Sequence, residues 1–274
     1  MFTILQCENQ RKGLAKLFVR RKYFFHMVSD KGMRFMVLTI NDKDKIDWKR
    51  IENILGKTAR KTLLAEDIPL PPEDVGISPP DPAPYAHRLA CNAAEQVLRG
   101  LTMEQKDIKV LLLDENAAFF DYARMALKYC GRLKIVTARQ EEYENFSQTA
   151  LEEYGAVTMV SDCAQNPDDN TLVLAPVLTK QFASSLPVGR QLRPLVISAV
   201  IEEGARVYGT VMTNFRSSLP LRYLEYKPEK IDSFVYAAAL YSCCNVNKLG
   251  KAVPAICDVV ADGSVIAEQV DFKG

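Results

Sequence analysis

The chain has 274 residues, of which 48% are hydrophobic, 25% charged and 9% aromatic, with 35 Lys and Arg against 34 Asp and Glu. This composition excludes a collagen-like repeat, a disulfide-dense scaffold and wholesale disorder, and the length suits one large core or two smaller ones. The net charge of +1 conceals a split, because residues 1–61 hold 15 basic against 6 acidic side chains and the rest of the chain is net acidic.

The first section reads as short strands. One covers Phe2 to Cys7, and two more, over residues 23–28 and 33–40, flank Ser29, Asp30, Lys31 and Gly32, whose glycine can supply the positive φ of a hairpin turn. A helix follows, with Asp47 as N-cap, an apolar stripe of Trp48, Ile51, Ile54 and Leu55, and Gly56 as its stop. Residues 61–65 return as a strand. Seven prolines between Pro69 and Pro84 then forbid regular hydrogen bonding and predict an extended connection. The expected organisation is a basic α+β module over 1–68, a proline-rich linker over 69–84 and an α/β domain over 85–274.

Beyond the prolines, residues 85–101 look helical. The apolar run 109–113 ends at Asp114 and leads into a helix over about 117–129. A second run, 133–137, precedes a helix over about 141–154, and further strands are expected at 156–161, 171–175, 195–199 and 206–212. Short, continuously apolar runs separated by helices are what a parallel sheet covered on both faces requires, so the predicted fold class is α/β with a doubly wound, mostly parallel sheet. A last helix over 231–245 is expected to cover one face of that sheet. A hairpin around Asp262 and Gly263 ends the chain.

Seven cysteines are scattered with no CxxC spacing, which reads as a reduced, intracellular protein. Adjacent Cys243 and Cys244 follow an apolar run at helical spacing and are expected to be buried helix residues. The N-terminus turns polar after seven residues, and no stretch approaches 18 apolar residues. A soluble, cytoplasmic protein without a membrane partner is the expectation.

In its order of strands and helices, the section from about Ile108 to Met212 resembles the Rossmann-type dinucleotide-binding superfamily. That resemblance places a ligand beyond the carboxyl end of the first strand. There the chain has Asp114, Glu115, Asn116, Ala117, Ala118 and Phe119, with no glycine to admit a pyrophosphate, two carboxylates where phosphate oxygens would lie, and Phe119 where a third small residue would pack. Asn116 can adopt the left-handed conformation, so a tight turn is still expected. At the end of the second strand, an arginine in the place of Arg139 would, within the resemblance, suit the 2′-phosphate of NADP through a bidentate grip. Asp114, Asn116 and Arg139 are therefore the candidate cofactor-binding residues and NADP the candidate cofactor. Methyl transfer is less well served, since neither a glycine turn nor the usual acid is present.

A second resemblance, to response-regulator receiver domains, rests on Asp114, Glu115, Asp162, Asn166 and Pro167, of which the three carboxylates could hold Mg²⁺ for phosphoryl transfer. The bland alternative is that Asp114 and Asp162 cap the following helix or turn. The two histidines, His26 and His87, have no partners at metal-ligand spacing, and the Walker A, Gly-x-Ser-x-Gly, HExxH and EF-hand patterns are absent.

In the basic N-terminal section, Arg20, Arg21 and Lys22 run into Tyr23, Phe24 and Phe25. Cations beside aromatics can bind single-stranded nucleic acid, while the alternative turns the rings inward and leaves the cations as a wet face. Taken together, the residues describe a Rossmann-like protein with a degenerate nucleotide site, acting in ligand sensing or interaction with a small-molecule nucleotide or protein partner. An NADP-dependent oxidoreductase and a nucleic-acid-binding protein are the alternatives.

Overall fold

The computed structural model describes residues 1–7, 23–30, 32–41, 46–163, 171–186, 194–206, 209–244, 246–261 and 264–271. In chain order the first elements are β1 (Phe2–Cys7), β2 (Tyr23–Asp30), β3 (Met33–Ile40), α1 (Trp48–Leu55), β4 (Thr62–Leu64), α2 (Ala83–Gly100), β5 (Lys109–Leu113), α3 (Phe120–Leu127), β6 (Arg132–Val136), α4 (Glu144–Tyr154) and β7 (Val157–Ser161). There follow β8 (Thr171–Leu174), β9 (Val177–Leu178), α5 (Lys180–Ser185), β10 (Leu195–Ile197), β11 (Val200–Ile201), β12 (Thr210–Arg216), α6 (Leu221–Leu224), α7 (Ser233–Cys244), β13 (Ile256–Ala261) and β14 (Ser264–Asp271). They form two compact units, the first of Met1–Tyr85 with Leu219–Lys251, the second of Ala86–Ser218 with Ala252–Gly274.

In the first unit the strand order is β2-β3-β1-β4, with β1 parallel to both β3 and β4 and β2 antiparallel to β3. Gly32 takes φ +86° in the turn between β2 and β3, as a hairpin there demands. Asp47 caps α1 by accepting from the Arg50 N–H at 3.0 Å, and the helix buries Ile51 and Leu55 before Gly56 at φ +53° stops it.

Two expectations are corrected in this unit. Residues 69–82 are irregular and 83–84 already begin α2, but the stretch is not simply an extended connection. Ile68, Val75 and Ile77 are buried, Ser78 donates to the Ala59 carbonyl and accepts from Thr62 N–H, and the Gly76 N–H donates to the Glu52 carboxylate. Prolines remove donors, yet the residues between Pro72 and Pro79 retain theirs and spend them on α1 and the edge beside β4. The last helix, α7, packs on β1 and β3 of this unit instead of on the large sheet. Its buried Tyr236 stands edge-on to Phe2 and Phe35, which stack on each other with centroids 5.0 Å apart. Cys243 and Cys244, at its end, are half-buried, and Cys244 Sγ lies within hydrogen-bond reach of the Arg34 backbone.

The second unit is built on a sheet of order β7-β6-β5-β8-β10-β12-β13-β14. Its first six strands in that order are parallel, and β13 and β14 close it as an antiparallel hairpin. Numbered along the chain, the parallel strands run 3-2-1-4-5-6, the doubly wound order of Rossmann-type domains, and the winding reverses between β5 and β8. The predicted α/β class is therefore borne out. Central β5 is buried on both faces at Val110, Leu111, Leu112 and Leu113, which explains its unbroken apolar run. One departure lies in the second half. Among the described residues, the crossover from β10 to β12 carries only the two-residue strand β11, paired with β9, in place of a helix.

Candidate functional site

The carboxyl end of β5, beside the reversal of winding, is where such a sheet offers a ligand crevice. Asp114 follows β5 directly and continues the ladder, its N–H donating to the Val136 carbonyl at 2.9 Å. The backbone then turns back, with the Ala117 N–H donating to the Asp114 carbonyl at 3.2 Å. The left-handed residue in this turn is Ala117, at φ 53°, and not Asn116. Closing the turn with Ala117 N–H on the Asp114 carbonyl leaves the reversal one residue later than the amide side chain suggested.

The Asp114 side chain is 1% exposed. It folds under the turn, where Oδ1 accepts from the Ala118 N–H at 3.0 Å and Oδ2 from the Phe119 N–H at 2.8 Å and the Tyr143 O–H at 2.7 Å. The two amides precede α3, so they belong to the donors that a helix start presents to an anion. Here the anion is part of the chain. The capping alternative for Asp114 describes this geometry, and the picture of two carboxylates facing an open phosphate site does not.

Neighbouring strands lock the turn. The Glu115 carbonyl accepts from the Ala138 N–H at 3.1 Å and from the Thr137 hydroxyl at 3.2 Å, tying the loop after β5 to the loop after β6. Tyr143 arrives from a 3₁₀ turn, Gln140–Tyr143, that precedes α4. It is fully buried, and burial, then the Asp114 carboxylate it bonds, push its phenol pKa well above the ordinary tyrosine value. Its ring packs on Phe120 (centroids 4.4 Å apart) and Phe146 (5.7 Å), while Phe119 lies against His87 (4.7 Å) and edge-on to Tyr122 (6.0 Å). Tyr122 in turn donates to the His87 carbonyl at 2.6 Å. Aromatic rings thus occupy the start of α3, where a dinucleotide fold sets small residues for close approach.

The candidate cofactor-binding residues lie on the two joined loops after β5 and β6, with Asp114 buried and the other two in solvent. Asn116 and Arg139 are exposed; the Arg139 N–H donates to the Thr137 hydroxyl, and its guanidinium is bonded to no described residue. Asp162 is exposed, and among the described residues no group of three His, Cys, Asp or Glu side chains could hold a metal ion, so the carboxylate triad expected for Mg²⁺ does not assemble there. Asn166 and Pro167 lie outside the described residues, as do Arg20, Arg21 and Lys22. Phe24 and Phe25, next to that basic run, are exposed on β2 instead of turned inward. Among the described residues, no helix is long and apolar enough to cross a membrane. Tyr143, the residue that completes the buried site, carries no signal in the sequence, since it stands one turn after Arg139 in a run with no motif.

The strand order and the winding reversal beside β5 define this unit as a Rossmann-type α/β fold. No family model and no curated protein matches the chain. Among solved structures, the L-tryptophan dehydrogenase of Nostoc punctiforme is similar over 61% of this chain and 49% of its own, at 12% identity and a TM-score of 0.31. The chain thus spans about half the length of that protein.

Proposed function

We propose that this is a non-catalytic ligand-sensing or interaction protein on a Rossmann-type scaffold, in which the nucleotide turn is filled by the chain's own carboxylate. One observation carries the reading: the Asp114 carboxylate accepts the Ala118 and Phe119 N–H groups. A pyrophosphate would have to displace a buried carboxylate that also holds Tyr143, and would meet its like charge in doing so. Neither cost is offset by a glycine turn that would let the backbone approach.

The rival reading, an NADP-dependent oxidoreductase, retains one supporting feature, the exposed Arg139 guanidinium after β6, which is bonded to no described residue. Calorimetric titration of the full chain with NADPH, NADH and S-adenosylmethionine separates the two. Silence from all three is expected. Micromolar NADPH binding that is lost in Arg139→Ala would overturn the non-catalytic reading and install the oxidoreductase.

A further inference from the structure

Among the described residues, strand β2 is an edge without the usual protections. It runs eight residues in unbroken antiparallel register with β3 and, among the described residues, pairs with no other strand. Natural edges are kept from pairing by being short, by bulges, by proline or by charges such as lysine. None of these is present from Tyr23 to Val28, and the only formal charge, Asp30, sits at the end and accepts from the Tyr226 hydroxyl at 3.1 Å. The opposite edge of the same sheet is managed differently. There β4 is only three residues long, and Ser78 accepts its Thr62 N–H. Along β2, by contrast, large apolar side chains stand in solvent on both faces, with Phe24 41%, Phe25 70% and Met27 47% exposed.

We propose that β2 is a self-association edge, on which two copies of this chain pair their β2 strands antiparallel about a two-fold axis between the two His26 residues, joining two four-stranded sheets into one. The choice of a second copy follows from the pattern of the strand. A two-fold axis normal to the sheet keeps each strand's faces, so only residues an even number of positions apart can meet, and the axis must pass midway between one residue and its own copy. Centred on His26, the pairing sets Phe25 opposite Met27 and Phe24 opposite Val28, once on each side of the axis. These four inner pairs are apolar, Tyr23 meets Ser29 at each end, His26 meets its own copy, and the single acidic residue meets no other acid. Centred on Met27, the same strand sets Phe25 against Ser29 and Phe24 against Asp30. Centred on Phe25, it leaves Val28, Ser29 and Asp30 beyond the end of the partner strand. The sequence is close to an apolar palindrome about His26, a property that self-pairing uses and that a different partner would not require.

Sedimentation velocity on the full chain from about 1 to about 200 μM tests the surface, and a concentration-dependent dimer is expected in that range. Because the changed side chains are exposed, circular dichroism should be unchanged in each variant. His26→Glu places two like charges across the axis and Phe25→Ser removes two apolar pairs, so each should raise the dissociation constant by at least about tenfold. Leu221→Ser, at an equally exposed apolar position outside β2, should leave it unchanged. Mild oxidation of His26→Cys should give a disulfide-linked dimer beyond that formed by the parent, because paired residues of an antiparallel ladder have Cα atoms about 4.5–5.5 Å apart, within disulfide range. A parent that stays monomeric throughout, or a dimer indifferent to both His26→Glu and Phe25→Ser, would overturn the proposal. So would a monomer that binds single-stranded RNA and loses it in Phe25→Ser, which would make β2 a stacking surface.

Discussion

The Tyr143 hydroxyl donates to the Asp114 carboxylate at 2.7 Å, so a side chain from the loop after β6 completes the buried anion site at the end of β5. Three donors converge on this carboxylate, two of them backbone N–H groups of the turn. Removing the acid leaves all three buried or half-buried donors without their acceptor. Asp114→Ala should therefore cost about 3 kcal/mol or more of stability, and Tyr143→Phe about 1.5–3 kcal/mol. The two losses should not add, and a double-mutant cycle by urea unfolding should return a coupling of at least about 1 kcal/mol. Simple additivity would mean that the hydroxyl and the carboxylate do not act as a pair.

Ala117 sits at φ 53°, where a Cβ crowds the following carbonyl. Ala117→Gly should stabilise the chain by about 1 kcal/mol despite the greater freedom glycine has when unfolded. Thermal or urea melts of the single variant decide it. A loss of stability would show that the strain is already relieved by the Glu115 and Thr137 contacts around the turn.

Alkaline pH should weaken the second unit. Burial is the main cause that raises the Cys91 thiol to about 11 and the Cys130 thiol to about 12, each from an ordinary 9.0. A raised folded pKa means that the unfolded chain gives up its protons first. The stability each thiol contributes is therefore fully present below pH about 9 and is lost as the pH climbs through the folded values, at up to about 1.4 kcal/mol per pH unit per thiol. Urea midpoints should fall between pH 8 and pH 11, less steeply in Cys130→Ala. A flat profile over that window would contradict the burial of these thiols.

The parallel sheet was legible in the sequence because its inner strands are largely buried on both faces, so runs such as 109–113 and 133–137 stand out against the helices between them. The first unit's strands and the Asp47 cap were legible for similarly local reasons. The destination of α7 was not. Its buried Tyr236, Ala237, Ala238, Ala239 and Leu240 run consecutively around the helix, so no apolar stripe marks which sheet it covers. The proline-rich stretch misled for the opposite reason. Its composition announces missing donors and says nothing of Val75 and Ile77, which bury themselves in the first unit. At the candidate site, a carboxylate in place of a glycine reads as repulsion toward a phosphate, whereas in the folded chain Asp114 takes the very amides a phosphate would need. That distinction depends on a rotamer and on Tyr143, neither of which a motif records.

Following the backbone amides of Ala118 and Phe119 by nuclear magnetic resonance, while NADPH is added to the full chain, tests the filled turn most directly. With Asp114 holding both N–H groups, their resonances should stay in place up to millimolar NADPH, on the order of a thousandfold above a micromolar binding constant. Saturable shifts of these two amides would contradict it, because they would show phosphate reaching donors that the carboxylate is said to occupy.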